Sequence, residues 1–261
     1  MATALVLRPT LLGPVSLPAA ILERGPVCAP EELPSVLRAL RRAFPGRLQI
    51  MPYFAGPEVA PVEAILAREG FRIVHGFDSA HARTLRIDLG GELFAGKTGE
   101  SIRRKIRQAE KAGAVARRGT AADLGMLERL YAELMHGQAK ADKPRAYFDA
   151  LAPIVEEGRR GALFLAEHEG LAVSALYVSR HGSLATFVIG ASAQNEKSFS
   201  KMVPSMTAAI RWAREEGCTQ FDMGGISMEG DPDEKRRSIA QFKLDFAKTP
   251  VPLVREHARI L

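Results

Sequence analysis

The sequence predicts an α+β fold, and three observations carry that expectation. Strand-like runs at 162–167, 172–179 and 184–189 follow one another across short turns at His168-Glu169-Gly170 and His181-Gly182. Tight polar turns between β-rich runs are the pattern of an antiparallel meander. Helical patterns flank that meander, at 122–137 and 146–156 before it and at 202–216 after it, the last closed by Gly217. Strand, helices, meander, helix, strand, helix, strand is the order in which helices segregate beside a mostly antiparallel sheet.

The elements can be justified in turn. Residues 1–46 are Pro-rich and hold one helical stretch at 31–43, where Leu33, Val36, Leu37 and Leu40 recur at i, i+3, i+4 and i+7. Residues 48–54 read as a strand bounded by prolines, and 61–69 as a helix with Pro at its start and Gly70 past its end. Strands at 71–74 and 84–89 follow. A helix at 99–112, closed by Gly113, turns Ile102, Ile106 and Ala109 inward. Arg103, Arg107 and Glu110 line one flank of that helix, and Arg104, Gln108 and Lys111 line the other. After a strand at 114–118 come the helices and meander already described. Residues 219–223 form a strand that runs into Gly224-Gly225, a polar loop spans 230–237, a last helical turn spans 239–246, and a closing strand lies near 253–257.

Charge is concentrated in one place. The net charge is +6, and eight basic residues lie between Lys97 and Arg118 against only Glu100 and Glu110. The remainder of the chain is therefore neutral in sum. A focused cluster points to a specific anionic group, whereas the bland reading is a solvated helix face. Two cysteines, Cys28 and Cys218, are too few for a disulfide framework and fit buried small hydrophobes in a reducing setting. Arg8, Pro9, Pro14 and Pro18 interrupt the apolar N-terminus, so the expectation is a cytoplasmic protein without a leader peptide or membrane span.

Much chemistry is absent. There is no P-loop, no G-x-S-x-G elbow and no H-E-x-x-H. The six histidines are scattered, and no ligand cluster suggests a metal. What remains is chemistry by positioning and electrostatics, a mode that transferases use.

Four stretches in register give these pieces a common frame. Residues 101–113 (SIRRKIRQAEKAG) form the basic helix. Residues 189–192 (IGAS) precede Met202, Pro204 and 209–213 (AIRWA). Residues 221–226 (FDMGGI) and the Phe242-Lys243 pair, four residues before Ala247, complete the set. Together they resemble the Fem family of peptidoglycan-bridge aminoacyltransferases, within the GNAT-like N-acyltransferase superfamily, over roughly residues 84–250. The resemblance implies tandem GNAT-like lobes with mixed, mostly antiparallel sheets flanked by helices. It places a shortened N-terminal lobe at 1–112, ending in the basic linking helix, and a C-terminal lobe at 113–261. It departs from the family in that short first lobe, in Ala247 where a glycine is usual, and in lacking a long charged heptad arm.

The resemblance implies attack by an amine of a cell-wall precursor on the ester carbonyl of an aminoacyl-tRNA, with no tightly bound cofactor. It assigns the important lysine to Lys243, whose ammonium can stabilise an oxyanion or neutralise the departing tRNA end. The bland reading of Lys243 is a solvated lysine on a helix whose Phe242 and Phe246 face inward. Arg103, Arg104, Lys105 and Arg107 can clamp the diphosphate of a nucleotide-linked acceptor, because guanidinium forks match phosphate oxygens. Asp222 is placed to take a proton from the attacking amine, or to cap the Gly224-Gly225 turn. Gly224 and Gly225 permit close backbone approach. Tyr177 offers a hydroxyl or a core ring, Lys201 an anion contact at a helix start, and Phe242 a ring beside the lysine. The alternative activity is acyl-CoA-dependent N-acylation of a small amine or sugar amine. Against it, the loop at 193–201 lacks the glycines of the usual CoA-pyrophosphate motif. A non-catalytic RNA-holding module is the third reading, and Phe94 is the only aromatic near the basic helix to support it.

Overall fold

A computed structural model of the chain describes residues 19–22, 24–74, 82–96, 99–195, 198–227 and 230–259. Lys97 of the basic segment lies outside the described residues, as do residues 196 and 197 of the loop before the long helix. In chain order the elements are β1 (Ala19–Leu22), α1 (Leu33–Ala43), β2 (Arg47–Ile50), α2 (Val59–Arg68), β3 (Arg72–Ile73), β4 (Arg83–Asp88) and α3 (Glu100–Lys111). There follow β5 (Val115–Arg118), α4 (Leu124–His136), α5 (Arg145–Asp149), α6 (Ala152–Glu157), β6 (Gly161–His168), β7 (Leu171–His181) and β8 (Leu184–Ser192). The chain continues through α7 (Met202–Glu215), β9 (Gln220–Gly225), α8 (Glu234–Leu244), β10 (Pro250–Pro252) and β11 (His257–Arg259).

The chain packs as two compact units, each gathered from distant stretches. The first takes the described residues up to Thr84, then Gly225–Gln241 and those from Pro250 onward; the second takes Leu85–Gly224 and Phe242–Thr249. A division after residue 112 follows sequence order. The structure instead groups α3 with the second unit and returns the C-terminal strand to the first.

That return has a simple cause. In the first unit the strand order is β1-β2-β11-β3. β1 and β2 run parallel, and β11 inserts antiparallel beside both β2 and β3, His257 facing Ile50 and Ile73. Leu33 and Leu37 of α1, Val62 and Leu66 of α2, and Leu22, Leu48 and Ile50 of the sheet form its core. Each such side chain contributes roughly 1.5–3 kcal/mol by leaving water. β1 escaped the sequence reading because four residues with two inward positions carry too short a period to detect.

The second unit carries strands in the order β4-β9-β8-β7-β6-β5. The meander is as expected: β6, β7 and β8 are antiparallel neighbours; β5 adds antiparallel to β6, and β8 pairs in parallel with β9 after the crossover through α7. α4, α5 and α6 cover a core of Leu127, Leu130, Phe148, Leu163, Leu165 and Ile189. The helix expected at 146–156 is two short helices. Pro153 sits in the first turn of α6, where its missing N–H and its ring stop continuation from α5. α8 begins earlier than expected, because Asp233 caps it: its carboxylate accepts the Arg236 N–H at 3.1 Å and its carbonyl the Arg237 N–H at 3.0 Å.

Candidate active site where β8 and β9 part

The parallel ladder between β8 and β9 joins Leu184–Thr186 to Gln220–Asp222. Just beyond it, β8 bulges. Tyr177 faces Ile189 and Val178 faces Phe187, so Val188 is the extra residue. A bulge bends its strand and re-aims the side chains beside it. β9 meanwhile runs into Gly224, whose φ of +76° is a left-handed conformation that L side chains rarely adopt.

Lys243 occupies the last turn of α8 and reaches this point. Only 7% of it is exposed, an unusual state for lysine. Its Nζ lies 5.9 Å from the centroid of the Phe187 ring, and a Cβ on Gly224 would stand 3.6 Å from it. The carbonyl of Lys243 accepts the N–H groups of Phe246 and Ala247 at 3.0 and 3.3 Å, which fixes the helix end from which the side chain departs. An ammonium held against an aromatic face and a glycine backbone is a strong, fixed positive charge, because little water screens it.

Asp222 is fully buried, and both its oxygens have work. Oδ1 accepts the Gly224 N–H at 2.7 Å, and Oδ2 accepts from Nε of Arg86 on β4 at 3.2 Å. This is an aspartate turn that shapes the glycine approached by Lys243, neutralised by Arg86 on the adjacent strand β4.

The basic helix divides its charges by face. Lys105 points inward and pairs with Asp245, two residues past Lys243. Arg103 donates to the carbonyls of Phe94 and Gly96. Phe94 packs edge-on to Phe246, and Phe246 edge-on to Phe242, with centroids 6.1 and 5.3 Å apart. Two of the four cations singled out in the sequence therefore brace the segment that carries Lys243. Arg104 and Arg107 lie exposed on the outer face.

The remaining residues fall elsewhere. The Tyr177 ring packs in the core under α4–α6, filling the space a Cβ on Gly161 would need, and burial pushes its hydroxyl pKa up. Lys201 sits at the start of α7 and donates to the carbonyls of Ala193 and Asn195, closing the loop before the helix. Gly225 belongs to the first unit, where it lines a small hollow with Tyr53 and Leu253. Phe242 is half-buried and Phe246 buried, so the lysine between them is more enclosed than Phe242. Arg86, Phe187 and Asp245 were missed in the sequence. Arg86 and Phe187 look like ordinary strand residues, and only the pairing of β4 with β9 and the bulge in β8 give them their places. Among the described residues no group of His, Cys, Asp and Glu gathers as a metal site, and no helix is long and apolar enough to cross a membrane.

Residues 96–236, more than half of the chain, match the family model of the acetyltransferase (GNAT) domain. This chain belongs to the GNAT family. It is an acyltransferase by that membership, and the mixed sheets flanked by helices are those expected. The GNAT fold here superposes on the crystal structure of FemX with a TM-score of 0.79 at 16% identity, covering 100% of this chain and 85% of FemX. A C-terminal domain assigned to a lysylphosphatidylglycerol synthetase of Agrobacterium fabrum gives 0.67 at 14% identity, covering 93% of this chain and 78% of that one. A tandem GNAT protein of the clavulanic acid biosynthesis pathway gives 0.52 at 11% identity, with 93% and 75% covered. At such identities the likeness is one of fold. A search of curated protein sequences finds no match.

Proposed function

We propose that this GNAT protein is a Fem-like aminoacyltransferase, moving an aminoacyl group from aminoacyl-tRNA to an amine of a nucleotide-linked peptidoglycan precursor in the cytoplasm. The buried Lys243 at the parting of β8 and β9 is the observation that carries this reading. FemX likeness over the whole chain and the Phe242-Lys243 pair in its expected register support it.

In the reaction the acceptor nitrogen attacks the ester carbonyl carbon, and a C–N bond forms. The carbonyl oxygen takes negative charge, which Lys243 Nζ stabilises electrostatically. The ester C–O bond then breaks, and the terminal ribose oxygen of the tRNA leaves with the proton given up by the amine. Asp222 acts here as a positioning residue, holding the Gly224 turn through its Oδ1. Arg104 and Arg107, exposed on α3, offer forks for phosphate oxygens.

Replacing Lys243 by Ala is expected to lower turnover by about 10²–10³-fold while leaving acceptor binding nearly unchanged by calorimetry. Unchanged turnover would sink the role assigned to the lysine. A second reading, acyl-CoA-dependent N-acylation, is favoured by the family model itself, which describes an acetyltransferase. Calorimetric titration with acetyl-CoA and, separately, a UDP-linked muropeptide separates the two. Muropeptide binding alone supports the Fem-like reading, and CoA binding alone replaces it with the second.

A further inference from the structure

A second feature of this unit takes no part in that chemistry. α3, β5, β6 and α7 enclose a cleft of about 510 Å³, within the range of small-ligand sites. None of the residues around Lys243 lines it. Its floor is apolar, built on Phe164 and Trp212, whose rings stand 5.7 Å apart. Its rim carries both signs of charge, Arg118 and Arg211 with Glu110 and Glu215.

We propose that this cleft is a peptide-binding groove, which takes an extended peptide as an added strand on the edge of β5. Three observations commit the site to that occupant. First, β5 ends the strand order of its sheet, with β6 as its neighbour on one side. The Gly119 N–H donates to the Leu163 carbonyl at 2.8 Å, towards β6. Strand alternation then turns the N–H and C=O groups of Ala116 and Arg118 outward. A peptide main chain is the ligand whose donors and acceptors repeat at the same spacing.

Second, Val115 on this edge is 63% exposed, an apolar side chain on an open strand edge that a bound strand would cover. Third, the rim charges are available in pairs of opposite sign. Among the described residues no ion pair closes on Arg211, Glu215 or Glu110. Arg118 is steadied by the Gly158 carbonyl at 2.9 Å, its guanidinium carbon 5.9 Å from the Trp212 ring centroid. A peptide with an apolar residue over the aromatic floor, flanked by an acidic and a basic residue, matches all of these groups. The indole N–H of Trp212, buried without an acceptor among the described residues, marks the same floor as incompletely satisfied.

Trp212 is the single tryptophan of the chain, so its emission reports on this cleft alone. The probe is the capped pentapeptide acetyl-Glu-Val-Leu-Val-Lys-amide, with a form N-methylated on alternate amides as the control. The expected result is a saturable change in emission, half-complete below about 1 mM, and at least tenfold weaker for the N-methylated form. Arg211→Glu, at an exposed rim position, is expected to weaken binding by about two- to fivefold. Equal binding of the methylated peptide would overturn strand addition. No change in emission with either peptide would overturn the groove. Emission that instead tracks protein concentration, with a doubled mass by light scattering, would give the edge to a second copy of this chain and overturn the proposal as well.

Discussion

Gly224 adopts φ = +76° where the Lys243 ammonium lies beside it. The space itself is not the obstacle, since a Cβ would meet Nζ and the Phe187 carbonyl oxygen at ordinary contact distance, 3.6 Å each. The conformation is. A non-glycine residue held there costs about 1–2 kcal/mol, so Gly224→Ala should lower the unfolding free energy by that amount in urea titrations. Turnover should fall further than stability alone explains, because the turn sets where the lysine lies. At Asp222 the two sequence readings separate cleanly by substitution. Asn keeps an acceptor for the Gly224 N–H and gives up the charge that meets Arg86. Asp222→Asn should leave turnover within about tenfold of the parent, at reduced thermal stability. A loss of several hundredfold at unchanged stability would make Asp222 the proton acceptor.

At the scale of elements, α3 shows how one helix divides a single run of charge. Its outer face is solvated, while Arg103 and Lys105 are consumed by carbonyls near Phe94 and by Asp245. The sequence displayed the charges and their flanks, but the partners lie well over a hundred residues away for Lys105 and in an irregular loop for Arg103. No local pattern could name them. Lys105→Met should therefore lower turnover while leaving α3 folded, as judged by far-ultraviolet dichroism. β5 and α4 are tied by a different device. Arg117 grips Asp123 through two hydrogen bonds of 2.8 and 2.9 Å and reaches Glu167 at 2.8 Å. That fork, aided by the Thr120 N–H, holds the Asp123 carboxyl down at about 2. A carboxyl whose folded pKa is depressed contributes stability above its unfolded value near 3.8, lost as the pH falls towards 2. Asp123→Asn should flatten the acid-unfolding profile in that window.

Across the whole molecule, the meander, the crossover helix and the strand into Gly224-Gly225 were legible because they are long, periodic and closed by glycine. The composition of the two units was not. Membership there is decided by β11, three residues whose partners Ile50 and Ile73 are remote in sequence. The same strand gives the first unit a pH response. His257 is buried, its Nδ1 2.7 Å from the Arg255 carbonyl, and burial pulls its pKa below the usual value despite the facing Glu63. Glu63 is itself held low by the Arg255 guanidinium, which it accepts at 2.8 Å. A depressed histidine favours folding above its unfolded pKa near 6.5, and the contribution is lost as acid protonates it. The melting temperature should fall as the pH drops below about 6.5, and His257→Gln should remove that slope.

β11 also sets an order in time. It lies between β2 and β3 in its sheet, yet follows β2 by about 200 residues. A ribosome adding roughly 5–20 residues per second delivers β2 and β3 about nine seconds or more before the strand that joins them. The strands from β5 through β9 emerge together in the interval, each next to its neighbour. Synthesis therefore pairs β5 through β9 first and leaves the other sheet split until β11 is made, which places the first unit's β2 and β3 edges in the care of whatever meets the nascent chain.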